Sequence, residues 1–246
     1  MKAMDRYLCG VHPVYGALAA GKPPIERIHI AREIRSARLR EILEMAQARG
    51  VPIRKEDRAA LDRLARGEVH QGIVAVASEF EYSPAEKLFE PAAPCIVVLD
   101  GVEDPHNLGA IIRTAEACSV SGVVVPERHS APLGAAAAKA AAGALAYVPV
   151  VRVGNLVNFL KHLKERNFWV VGVDADAERL WTEFDYKGAV ALVLGAEHRG
   201  LRRLVREHCD ALVKLPMAGK IESLNVSVAA GVVLYEVLRQ RRLGGT

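Results

Sequence analysis

The chain has 246 residues, 51% hydrophobic and 25% charged, enough for one large or two ordinary domains with a sizeable core. Its formal net charge of +4 is spread evenly, 15 Lys+Arg against 13 Asp+Glu up to residue 90 and 18 against 16 beyond it. No basic tail exists, so any nucleic-acid contact must come from charges that folding gathers on one face. Four cysteines, Cys9, Cys95, Cys118 and Cys209, lie far apart without a Cys-x-x-Cys or Cys/His cluster, which argues against a disulfide scaffold and leaves no metal site to expect. The opening Met-Lys-Ala-Met-Asp-Arg lacks the apolar core of a signal peptide and no long apolar span follows. A cytoplasmic protein without membrane contact is expected.

In chain order, Tyr7 to Tyr15 opens with a turn signal and Val11 to Ala20 reads as a short helix. Ile25 to Ile30 alternates as a strand does, and Ser36 to Arg49 carries apolar residues Leu39, Ile42, Leu43 and Ala46 at helical spacing. Val51 to Ile53 is a short strand, Arg58 to Leu64 a helical turn or two, and Gly72 to Ala77 a strand. Residues 1–80 thus form a compact α/β unit. The stretch 81–94 carries Pro84, Pro91 and Pro94 and reads as a linker, with a helical turn over Glu86 to Phe89.

Residues 95–246 alternate regularly. Apolar strands are expected near 95–100, 122–126, 148–153, 168–174, 189–195 and 211–216, with helices near 108–119, 132–145, 155–167, 201–209 and 223–241. Such alternation predicts an α/β domain with a mostly parallel sheet covered on both faces. The Ala-rich segment 135–146 is expected to pack closely on the sheet.

Ligands of such sheets sit beyond the carboxyl ends of the strands, and three loops there are more polar than packing requires. The first is Asp100-Gly-Val-Glu-Asp-Pro-His-Asn107, where Asn107 reads as the cap of a helix carrying Arg113 and Glu116 on one face. The second is Leu194-Gly195-Ala-Glu197-His-Arg-Gly200, two glycines around a carboxylate. The third runs from Leu215-Pro-Met217-Ala-Gly219 to Ser223-Leu224-Asn225-Val-Ser227, where Ser223 reads as the cap of the last helix. No Gly-x-Gly-x-x-Gly follows the first strand of this domain, and Gly-x-x-x-x-Gly-Lys-Ser/Thr and Gly-x-Ser-x-Gly are absent. Dinucleotide-binding, P-loop and α/β-hydrolase sites are thereby disfavoured.

Together, Asn107-Leu-Gly-Ala-Ile-Ile-Arg113-Thr-Ala-Glu116, Gly195-Ala-Glu197-His-Arg-Gly200 and Pro216-Met-Ala-Gly219 through Ser223-Leu-Asn-Val-Ser227 resemble, in order and separation, the three motifs of the SPOUT-class ribose 2′-O-methyltransferases of the TrmH/SpoU family. More loosely, Gly10-Val-His-Pro-Val and His70-Gln-Gly-Ile-Val are similar to that family's N-terminal L30-like RNA-binding domain. The resemblance implies a deep trefoil knot, a homodimer through the knotted domain, and bound S-adenosylmethionine. Leu194, Gly195, Leu215, Met217, Gly219, Leu224 and Asn225 would hold the cofactor. Arg113, with Asn107, Glu197, Ser223 and Asn225 around it, would stand at the ribose hydroxyl, either as general base or as a cation that stabilises a developing alkoxide. The high pKa of arginine weighs for the second role. RNA would be gripped by the N-terminal unit, where Arg6, Arg32, Arg35 and Arg38, with Arg27 and Arg40, could form a phosphate-facing patch or a merely solvated surface. The target implied is a guanosine ribose of large-subunit (23S) rRNA, free or in a pre-ribosomal particle. Alternatives are a tRNA ribose and a non-catalytic ribosome-assembly factor.

Overall fold

The computed structural model describes residues 7–21, 23–33, 36–78, 80–197 and 199–243. They divide into two compact units, one running up to Glu81 and taking in Leu133–Tyr147, the other formed by Tyr82–Pro132 and the chain from Val148 onward.

The first unit contains β1 (Tyr7–Cys9), α1 (Val11–Ala20), β2 (Ile25–Ala31), α2 (Ala37–Ala48), β3 (Ile53–Glu56), α3 (Arg58–Ala65) and β4 (Ile73–Ala77). Its sheet has the order β1-β4-β2-β3, with β4 antiparallel to both neighbours and β2 parallel to β3. The strand period of two sorts its faces. Leu8, Ile28, Ile30, Ile73 and Ala75 meet α1 and α2 through Val14, Leu18, Leu39 and Ile42. On the other face Val74 packs against Leu61 and Ala65 of α3, whose N-terminus is capped by Asp57 accepting from the Ala60 N–H at 2.7 Å.

The second unit carries β5 (Cys95–Asp100), α4 (Pro105–Ala117), β6 (Gly122–Pro126), β7 (Val150–Val153), α6 (Leu156–Glu165), β8 (Trp169–Val173), β9 (Arg179–Leu180), β10 (Val190–Gly195), α7 (Arg203–Glu207), β11 (Ala211–Lys214) and α8 (Val226–Leu243); α5 (Ala135–Ala141) belongs to the first unit. Its seven strands lie in the order β7-β6-β5-β10-β8-β11-β9, and every pair is parallel, as the near-continuous apolar runs require. One face buries Leu156, Leu160 and Leu163 of α6 and Val205 of α7 against Ile96, Val98, Val124 and Val193. Leu108, Ile111, Ile112 and Ala115 of α4 and Ala230, Val233, Leu234 and Val237 of α8 are buried as well, where these two helices pack together.

Four expectations are corrected. The Ala-rich segment does not cover the large sheet: α5 packs on β1 and α1, Ala138 lies in the first unit's core, and Gly143 stands against Gly16, where a Cβ would come within 2.8 Å of the Gly143 Cα. Small side chains allow that backbone approach. The stretch after Glu81 is more than a tether, since the 3₁₀ turn Ala85–Phe89 buries Leu88 fully in the second unit's core. The helix bearing Asn107 is capped by Asp104, whose Oδ1 accepts from the His106 N–H at 2.8 Å, with Pro105 in the first turn. The last helix starts at Val226 and Ser223 is exposed; Asn225 is the cap, as its Oδ1 accepts from the Ser227 N–H at 2.9 Å.

Candidate active site

Strand order in the large sheet reverses between β5 and β10: β6 and β7 follow on one side of β5, and β8, β11 and β9 lie beyond β10. Ligands of open parallel sheets bind at such a switch point, beyond the carboxyl ends. Here those ends are Asp100 and Gly195, which are register partners. After Gly195 the chain doubles back through a tight turn, with the Ala196 N–H donating to the Gly200 carbonyl at 3.1 Å and the Gly200 N–H to the Ala196 carbonyl at 2.8 Å. Gly200 takes a φ of 59°, and Gly195 has no room for a side chain because Gly200 and Leu201 backbone crosses its Cβ position.

Asn225 ties the three loops together. Its Nδ2 donates to Asn107 Oδ1 at 3.0 Å and toward Glu197 Oε1 at 3.4 Å, while its Oδ1 caps α8 and accepts from the Ser227 hydroxyl at 2.6 Å. An amide suits this place because it donates and accepts at once. Residues 107, 197 and 225, from loops far apart in sequence, thus form one polar cluster over the switch point.

The SpoU rRNA Methylase family matches the chain over residues 94–235, and the RNA 2′-O ribose methyltransferase substrate binding family matches it over residues 7–83. The chain belongs to the SpoU rRNA methylase family. The 23S rRNA (guanosine-2′-O-)-methyltransferase RlmB of Pseudomonas aeruginosa is 44% identical over 94% of this chain and 95% of its own length. The enzyme of the same description from Escherichia coli K12 is 40% identical over 97% and 100%. Among solved structures, the SpoU methyltransferase AviRb of Streptomyces viridochromogenes in complex with the cofactor AdoMet superposes with a TM-score of 0.82 at 27% identity, covering 98% of this chain and 91% of that one.

The remaining expected site residues of this SpoU chain are placed less uniformly. Arg113 lies on α4, exposed, and has no hydrogen-bond or ion-pair partner among the described residues, so neither Glu116 nor Glu197 orients it here. Ser223 is exposed and outside the Asn225 cluster. Leu194 is buried at the end of β10, Leu215 is half-buried just past β11, and Met217, Gly219 and Leu224 are exposed along the third loop, where Ile221 is also exposed. Ile221 was not singled out from the sequence; its exposed apolar side chain stands out inside an otherwise polar loop.

Among the arginines of the first unit, Arg6 and Arg35 lie outside the described residues. Arg32 and Arg40 are exposed and unpaired among the described residues, but Arg38 is committed internally, donating to Glu41 at 2.8 Å and stacking 3.7 Å over the Tyr15 ring. Arg27 is half-buried, its Nε without a partner among the described residues. Burial pushes the Cys9 thiol up to about 11 and those of Cys95 and Cys209 up to about 12, and it raises Cys118 as well, so each is held toward its neutral form. No group of three or more His, Cys, Asp or Glu among the described residues could hold a metal ion.

Proposed function

We propose that this chain is an S-adenosylmethionine-dependent methyltransferase acting on the ribose 2′-hydroxyl of a guanosine in 23S rRNA. The observation that carries the reading is the cluster of Asn107, Glu197 and Asn225 at the sheet's switch point, on the three stretches that resemble the family motifs. The RlmB relatives, alike over nearly their whole length, support the substrate.

The chain's own residues fit the cofactor. The third loop leaves Met217, Ile221 and Leu224 exposed, apolar surface suited to an adenine ring, and Gly195 and Gly219 give the second and third loops backbone without side chains. When bound, the cofactor supplies a methyl group already activated by its sulfonium charge. The protein's task is to align the ribose oxygen and ease the loss of its proton. A guanidinium at Arg113, exposed and unpaired among the described residues, suits a forming alkoxide or a neighbouring phosphate, since its planar fork can grip a phosphate in two places. Asn107 and Asn225 tie the first and third motif stretches together through their hydrogen bond. Ser223, although exposed here, stays within the reading as a residue that substrate would meet.

The first unit is the RNA-gripping part in this reading, supported by its substrate-binding family match and by Arg32 and Arg40, exposed and unpaired among the described residues. A homodimer through α8 is supported by its exposed apolar stripe, Val228, Val232 and Tyr235. A knotted C-terminal crossing belongs to the reading through the motif resemblance and the family match over residues 94–235. A cytoplasmic setting is supported by four cysteines that stand unpaired.

The experiment is incubation with labelled methyl donor and separate 23S rRNA and tRNA transcripts, followed by nucleoside analysis. The expected product is 2′-O-methylguanosine in the 23S transcript alone. Arg113→Lys, which keeps the charge but loses the fork, should abolish turnover while donor affinity survives. Label in tRNA only, or donor that does not bind, would overturn the reading.

A further inference from the structure

Asp100 closes β5, and its side chain is entirely buried. One oxygen, Oδ2, accepts from the backbone N–H of Arg202 at 2.8 Å; the other, Oδ1, accepts from Arg202 Nε at 2.5 Å. Both oxygens therefore serve one residue, the one that leaves the turn begun at Gly195. The entrance of that turn is fixed beside Asp100 too, because Gly195 is its register partner. Between these two fixed points stands Glu197, facing Asn225.

We propose that Asp100 is a positioning residue of the methyl-transfer site, setting through Arg202 the height at which the 196–200 turn presents Glu197 and its backbone to the methyl donor. The inference rests on the methyltransferase reading above. Charge-assisted bonds to a guanidinium and a backbone N–H are short and directional, so they fix a loop more tightly than apolar packing does. For stability alone, a buried carboxylate is a poor choice, since apolar residues of similar volume often serve as well. A turn anchored at both ends over a ligand site gives that choice a purpose, because a displacement near 1 Å can lower a rate by about 100-fold.

Two single variants test this, Asp100→Asn and Arg202→Gln, together with the double variant. Calorimetry gives the affinity for S-adenosylmethionine, quenched single-turnover assays at saturating donor give the rate per folded molecule, and thermal unfolding gives stability. Each single variant is expected to weaken donor binding or slow the single turnover by roughly 10–100-fold at a temperature well below its melting point. The double variant should be no worse than the poorer single one, because both changes break the same contact. Variants that melt earlier yet bind and turn over like the wild type would show a purely structural role and overturn the inference. Fully additive losses would overturn it too. Arg202, half-exposed, keeps the test available if Asp100→Asn does not fold. A wild-type protein that binds no donor would instead bring down the methyltransferase reading, and this inference with it.

Discussion

Gly195→Ala puts the second loop to a quantitative test. A methyl group at this position would stand 2.1 Å from the Gly200 carbonyl carbon, 2.3 Å from its oxygen and 2.4 Å from the Leu201 nitrogen. All three atoms are backbone, so no rotamer change relieves the clash and the turn has to open. Opening it breaks the two Ala196–Gly200 hydrogen bonds, each contributing about 0.5–1.5 kcal/mol net. Residual overpacking adds about 1–3 kcal/mol. Because a surface turn can move, the lower half of the summed range is expected, roughly 2–4 kcal/mol, from the two terms together. For a protein of this size that lowers the melting temperature by about 4–16 °C. Calorimetry should show donor affinity reduced by at least about tenfold, equivalent to 1.4 kcal/mol. Gly219→Ala is the control: nothing lies within 4 Å of its Cβ position, so its stability should stay within about 0.5 kcal/mol of wild type. Wild-type melting and wild-type donor affinity in Gly195→Ala would refute the close-crossing argument.

Other outcomes follow from single contacts. Asn225→Ala removes the cap of α8 and the bridge to Asn107; unfolding should show a loss of about 1–2 kcal/mol, and turnover should fall more than donor affinity. The Glu236 carboxylate is held below its usual range by the bidentate Arg239 guanidinium, against the opposing effect of burial and with help from Gln240. Its contribution is therefore present above the ordinary glutamate pKa of about 4.3 and lost as pH falls through the lower folded value. The stability advantage of wild type over Glu236→Gln should shrink as pH falls below the ordinary glutamate range and through the lower folded value, and a gap that ignores pH would contradict this. Val232→Lys places a charge on the α8 stripe proposed above as the dimer face; sedimentation should find dimer for the wild type and monomer for the variant, and equal states for the two would exclude that face.

How far the sequence could be read varied with the physics behind each feature. Runs such as Cys95–Leu99 and Val190–Leu194 are legible because a strand buried on both faces leaves no polar residue inside it. The three loops stood out because Asn107, Glu197 and Asn225 are polarity that a core-facing turn does not need, and they do meet. Caps were misread where two capping residues compete within a few positions. Asp104 beats Asn107 because Pro105 behind it is preset for the first helical turn, and Asn225 beats Ser223 because its amide also reaches Asn107. The destination of Ala135–Ala141 has no local signal, since a run of alanines has no amphipathic face to point anywhere. β9, two residues long, is too short to show a period. The Arg38–Glu41 contact is legible from their i, i+3 spacing alone.

The excursion Leu133–Tyr147 bears on how this protein could be recombined. It leaves the second unit after β6 and returns before β7, so the peptide passes from one unit to the other at three places. A chimaera cut once, near residue 81, would carry α5 with the wrong half and leave Ala137, Ala138 and Ala141, all buried here, without the surface they were shaped for. Exchanging the first unit between relatives therefore calls for transplanting two stretches as a matched pair. The second of them lies in the interior of the sequence, away from both termini.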